Sequence, residues 1–182
     1  MLAQQDNYRK SGFRLAWRNV RYQRMPKAGA EKVAGLTLVD ARVPPFDRLA
    51  AYDRHFFRER RDAFLSLWIS LPGHCGLAAL RDGALEGFGV IRPCREGFKI
   101  GPLYAASRDT ASALVAGLCA NVAGASPGAV VALDVPDVNK DAVALARSMG
   151  LAPSFETARM YTGAEPAIDL KGLYGVTTFE LG

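Results

Sequence analysis

Cysteine and histidine are both scarce in this sequence, and their scarcity narrows the chemistry. Cys75, Cys94 and Cys119 are odd in number and no two stand in Cys-x-x-Cys spacing, so neither a disulfide framework nor a zinc site is expected. His55 and His74 are the only histidines, and no Asp, Glu or His group has metal-ligand spacing. No hydrophobic run is long enough to span a bilayer. The most apolar stretch, ASALVAGLCANVAGA at 111–125, is short, carries Asn121 and reads as a buried helix. The opening residues, MLAQQDNYRK, lack an apolar core followed by a small-residue cleavage site, so no secretory signal is read there. Three reduced thiols in a cytoplasmic protein without membrane contact are the expectation.

Charge and apolar content are ample. Hydrophobic residues make up 49% and charged residues 23% of 182 positions, enough for one good core. Residues 1–62 hold 14 Lys and Arg against 7 Asp and Glu, while the remainder holds 9 against 11. A basic front suits nucleic acid, an anionic membrane or a phosphorylated ligand, and solvated surface charge explains it more simply. RLAWRNVRYQR (14–24) interleaves Arg with Trp and Tyr, as a single-strand nucleic-acid clamp does, but strand alternation accounts for the same letters.

The chain reads as an alternation of strands and helices. LTLVDARV (36–43) is strand-like and stops at Pro44-Pro45. Residues 46–71 place apolar side chains at helical spacing, in one broken or two consecutive helices whose wet side carries Arg58, Arg60 and Arg61. Asp82-Gly83 and Glu96-Gly97 separate apolar runs, which predicts a three-strand antiparallel meander. Ser107 or Asp109 then caps a helix. VVALDVP (130–136) reads as a strand covered on both faces, VNKDAVALARSMG as a helix with Val143, Ala146 and Met149 on one face, and FETARMY and YGVTTFEL as two final strands. Residues 24–34 look like a linker.

One feature of the N-terminus repeats. YRKSGF (8–13) resembles a helix end stopping on Gly12, and ARSMGLAPSFETARMY (146–161) lies on YRKSGFRLAWRNVRYQ (8–23) without a gap, at a constant offset of 138. Both segments run helix, glycine, then a strand with an aromatic five residues on. The expectation is two like domains in tandem, with the last helix-strand piece of the first at 1–23, a linker at 24–34 and the second domain at 35–182. Leu15, Trp17, Val20 and Tyr22 then form an apolar strand that must pair with a sheet edge of this chain or, in a homodimer, of a neighbour.

The element order, with Asn139-x-x-Ala142-x-x-Leu145 followed by Gly150-Leu151, resembles the GNAT acyltransferases. KIGPLYA, LDVP, ARMYTG and YGVTTFELG look like the second domain of tandem-GNAT proteins. The resemblance implies an α/β fold: a mixed, mostly antiparallel sheet splayed at its centre, between KIGPLYA and VVALDVP, with helices on both faces. It implies acetyl transfer from acetyl-CoA to a small amine. Backbone amides at Gly101, Leu103 and Ala105 would hold the pantetheine, and Ser107, Arg108 and Thr110 at the helix start would meet the pyrophosphate. Asn139 of the late motif is counted with these cofactor positions. Two departures stand out: YAASRDTASAL lacks the family's phosphate-loop glycines, and Ala146 replaces the tyrosine that protonates the departing thiolate. Tyr8 keeps that tyrosine in the N-terminal piece. A non-catalytic module for packing, dimerisation or ligand sensing is the alternative.

Asp134, near the end of a central strand, and Glu180, on the last strand, are candidate general bases; a turn cap and a solvated side chain are their plainer readings. Arg159 and Tyr161 on the penultimate strand can reach an acidic group, or join a surface ion pair. His74 and Cys75 are adjacent and point to opposite faces of a strand, which argues against a catalytic pair.

Overall fold

The computed structural model describes residues 4–26, 33–123 and 128–180. Its elements run α1 (Gln5–Lys10), β1 (Arg14–Arg24), β2 (Leu36–Asp40), α2 (Phe46–Asp53), α3 (Asp62–Trp68), β3 (Cys75–Arg81), β4 (Ala84–Pro93) and β5 (Phe98–Ala105). Then follow α4 (Arg108–Ala123), β6 (Val131–Pro136), α5 (Lys140–Ser148), β7 (Ala152–Tyr161) and β8 (Leu173–Gly175). Most of the expected linker, residues 27–32, lies outside the described residues, and β1 runs through Arg24.

Local chemistry sets the meander. Asp82 and Gly83 both adopt positive φ, at 48° and 77°, which is the two-residue turn that matches strand twist. Gly97, at φ 67°, closes the second hairpin where an added Cβ would collide with the Val130 carbonyl oxygen. The described strands form one sheet in the order β2-β3-β4-β5-β6-β1-β7, with β8 paired to β5. Only β5 and β6 run parallel; every other neighbouring pair is antiparallel.

Helices cover both faces. On one, α4 and α5 bury Leu114, Leu118, Ala142, Leu145 and Ala146 against Leu133 and Ile100. On the other, α2 and α3 bury Leu49 and Leu65 against Phe88 and Tyr104. The stripe of α5 is centred on Ala142, Leu145 and Ala146 rather than on Val143 and Met149, which are only partly buried. No helix among the described residues is long and apolar enough to cross a membrane.

The N-terminal strand finds its edge within the chain. β1 lies between β6 and β7, antiparallel to both, so both of its own edges are paired and no second copy is needed to satisfy it. Of the four apolar positions expected on this strand, Trp17 and Tyr22 are buried, whereas Leu15 is 38% exposed and Val20 is half-buried. Irregular register at Leu15/Trp17 and Arg21/Tyr22 breaks the strict two-residue period. The 138-residue repeat reappears in the pairing. Asn19 stands opposite Thr157, its own repeat equivalent, while Trp17 faces Arg159 and Arg21 faces Phe155. Equivalent positions therefore exchange places about a local two-fold axis through Asn19 and Thr157.

A candidate active-site cleft filled by the chain itself

The parallel pair β5 and β6 is joined only where Phe98–Ile100 faces residues 131–133. Beyond that point the two strands separate. The gap holds residues 172–177. β8 pairs antiparallel with β5, Leu103 opposite Gly175 and Tyr104 opposite Leu173. The Ala105 amide donates to the Gly172 carbonyl at 3.0 Å, and the Val176 amide donates to the Asp134 carbonyl at 2.9 Å, so this segment bridges β5 to β6. It is closely packed: a Cβ on Gly101 would stand 2.5 Å from the Thr177 carbonyl oxygen and 2.6 Å from that of Val176. Asn139 anchors the approach. Its Oδ1 accepts from the Ala142 amide at 3.0 Å, capping α5, while its Nδ2 donates to the carbonyls of Lys171 and Leu173 at 2.8 and 3.0 Å.

The positions expected to meet a cofactor are thus engaged by the protein. Gly101, Leu103 and Ala105 all lie on β5 beside residues 172–177. Ser107 accepts from the Thr110 amide at 3.2 Å and caps α4. The Thr110 hydroxyl donates to Glu86 at 3.2 Å, turning the helix start toward a carboxylate of the chain itself. Arg108 is exposed on the first turn. A pantetheine arm needs an open gap and free β5 amides, and a pyrophosphate needs a loop that lets backbone approach closely. Acetyl-CoA does not fit the cleft that these residues build.

The three candidate catalytic residues each have their own surroundings. Asp134 is a fully buried carboxylate. It accepts from Arg21 through Nε at 2.7 Å and Nη2 at 3.0 Å and also pairs with the Lys99 ammonium. The Phe179 ring lies over both cations, 4.6 Å from the Arg21 guanidinium and 5.2 Å from the Lys99 nitrogen. Glu180 is exposed; a hydrogen bond with Thr178 holds its carboxyl below the usual range, with smaller help from Lys99 and Arg21. Tyr8 is 50% exposed, its ring edge-on to Phe13 at 5.3 Å.

One functional-looking network escaped the sequence reading. Arg61, expected on the wet side of its helix, has a side chain only 10% exposed. It donates to Asp53 at 2.8 and 2.7 Å, to the Tyr104 hydroxyl at 3.0 Å and to Thr177 Oγ1 at 3.2 Å. The network ties the α2–α3 loop to β5 and to the segment in the gap. Burial pushes the Tyr104 phenol up to about 12, although Arg61 opposes the shift. The buried Asp53 carboxylate draws Arg61 inward, and a pair eight residues apart across two helices leaves no periodic signature. His74 is taken up structurally, its Nδ1 lying 2.7 Å from the Trp68 carbonyl.

Beside the filled gap lies a cavity of about 520 Å³, walled by Trp17, Phe56, Phe57 and Tyr104 and reached by Arg159 and Tyr161. Tyr104 stacks on Phe56 at 4.1 Å, and Trp17 tilts against Tyr161 at 5.9 Å.

Residues 49–175 match the family model described as an acetyltransferase (GNAT) domain. A holothin acyltransferase from Pseudoalteromonas sp. (strain SANK 73390) is 26% identical over 182 residues, which is 100% of this chain and 60% of that protein. Among solved structures, a Pyrococcus horikoshii protein assigned as an acetyltransferase superposes with a TM-score of 0.76 at 24% identity, covering 100% of this chain and 58% of its own. A tandem GNAT protein from the clavulanic acid biosynthesis pathway superposes with a TM-score of 0.59 at 13% identity, covering 91% and 60%. These structural likenesses concern the fold. The chain spans about three fifths of the length of each of these relatives. With 49–175 matched and the mixed, splayed sheet in place, the chain belongs to the GNAT acetyltransferase family.

Proposed function

We propose that this chain is the C-terminal half of a two-domain N-acyltransferase, a half that does not itself hold the acyl donor. The whole protein transfers an acetyl group from acetyl-CoA to a small amine in the cytoplasm, and the donor binds in the other half. The observation that carries this reading is the insertion of residues 172–177 between β5 and β6, on the β5 backbone that a pantetheine would need. The repeat at 1–23, its two-fold pairing with β7, and the greater length of the relatives support the tandem arrangement. The acyl transfer in the name of the curated relative supports the chemistry.

In this reading Tyr8 is the proton donor of the preceding domain, and its exposed phenol remains accessible to that site. Asp134 serves as counter-ion to Arg21 and Lys99 rather than as a base. Glu180 is a surface carboxylate that lowers the positive charge of the same cluster.

Titration with acetyl-CoA and desulfo-CoA, followed by thermal shift, tests the proposal. The expected result is no stabilisation through millimolar ligand. A ligand at about one hundred times its Kd would stabilise the native state by about 2.7 kcal/mol. Saturable stabilisation at micromolar concentration would overturn the reading and restore this half as a donor site.

A further inference from the structure

We propose that the aromatic cavity beside the filled gap is a binding site for a small aromatic carboxylate, which is held there without being acylated. The claim goes beyond the acyl-transfer reading and does not depend on where the donor binds. It rests on which groups around the cavity are already engaged and which are not.

The walls are apolar and largely spoken for. The Trp17 indole N–H donates to Asn19 Oδ1 at 3.1 Å, and the Tyr104 hydroxyl accepts from Arg61. At the rim, Arg58 and Glu59 are exposed and of opposite sign, so their charges offset. Arg159 and Tyr161 differ from these. They stand two residues apart on β7, hence on one face of the strand, and both are half-buried. Among the described residues neither the Arg159 guanidinium nor the Tyr161 hydroxyl has a hydrogen-bond or ion-pair partner. Burial, the leading influence on Tyr161, keeps its phenol protonated and able to donate.

The repeat sharpens the point. Arg21, the repeat equivalent of Arg159, is satisfied by Asp134 on the neighbouring strand. Arg159 has the same place in the second copy of the motif and, among the described residues, no carboxylate within ion-pair distance, although the charge of Glu165 is felt at Tyr161. A carboxylate accepting from Arg159 and Tyr161, with its aromatic ring between Trp17 and Phe56, supplies the missing charge and fills apolar wall. A volume of about 520 Å³ suits a ligand of one or two rings. A charge-assisted hydrogen bond to guanidinium is the strongest single contact available at this wall.

The test uses three probes of one shape: 3-phenylpropionate, its uncharged amide and 3-phenylpropylamine. Binding is followed by proton–nitrogen NMR at the two tryptophan indole N–H groups, Trp17 inside the cavity and Trp68 outside it. The expected result is a saturable shift of the Trp17 signal with the carboxylate, the Trp68 signal staying still, and binding of the amide and amine about tenfold weaker or less. Arg159→Gln should abolish the preference for the carboxylate, and Arg159→Lys should restore part of it. Equal binding of all three probes, no saturable shift up to about 20 mM, or an unchanged preference in Arg159→Gln would overturn the proposal. An outcome in which acetyl-CoA binds while the carboxylate preference persists would overturn the reading that this half holds no acyl donor and leave this one standing.

Discussion

β1 and β7 carry the two copies of one sequence motif, pair with each other about a two-fold axis, and end in different environments. β1 has a neighbour on each edge and buries Trp17. β7 has β1 on one edge and no partner strand on the other among the described residues, and Phe155, the equivalent of Trp17, is 48% exposed. Along its ten residues β7 has no buried position. The motif alone therefore does not decide burial; a strand is buried when sheet lies on both sides of it. The same holds for charge, since Arg21 gains a buried carboxylate from β6 whereas Arg159, on the sheet's rim, gains none among the described residues.

The largest break in this comparison should come from removing the carboxylate that only β1 enjoys. Asp134→Ala leaves Arg21 and Lys99 without their shared partner in a buried site and should destabilise the fold by about 3–5 kcal/mol in urea unfolding. Next comes the aromatic pair. Trp17→Ala should cost about 3 kcal/mol, while Phe155→Ala, half in solvent, should cost under about 1 kcal/mol in the same assay. Equal losses would mean that the rim strand is covered in solution.

The arginines give a smaller contrast. Arg21→Gln forfeits two charge-assisted hydrogen bonds and should cost about 2 kcal/mol, whereas Arg159→Gln should stay within about 0.5 kcal/mol. Smallest is a pH effect on β7. Burial raises the Tyr161 phenol above its ordinary value of 10.0, so its contribution is fully present below that pH and is lost as pH rises through the raised value. Thermal midpoints measured from pH 9 to 11 should fall less steeply in Tyr161→Phe than in the parent, by a modest margin because the ring is partly exposed.

Much of the architecture was legible because local chemistry announces it. Asp82-Gly83 demands a tight turn, Gly150 stops a helix, and the apolar run at 130–136 belongs to a strand covered on both faces, whereas Asn139, expected at the cofactor, proves to cap α5. The helix-glycine-strand repeat was also visible, since Gly12 and Gly150 both take positive φ as helix stops. What was not legible depends on partners far apart in the chain. YGVTTFEL reads as a strand through Glu180, yet only Leu173–Gly175 pairs, against β5 and in the gap, and Glu180 lies beyond it in a turn. Arg61 reads as solvated until Asp53, Tyr104 and Thr177 gather round it. Register irregularities in β1 likewise reassign Leu15 and Val20 without any change of letters.

Asn139 joins two events that would otherwise be separate. Because one side chain both begins α5 and clasps the backbone at Lys171 and Leu173, withdrawing the tail from between the strands also loosens the first turn of a helix. Any visitor to that space must therefore displace a ribbon and fray a helix in the same motion, which makes the plug part of the scaffold rather than a gate that swings freely.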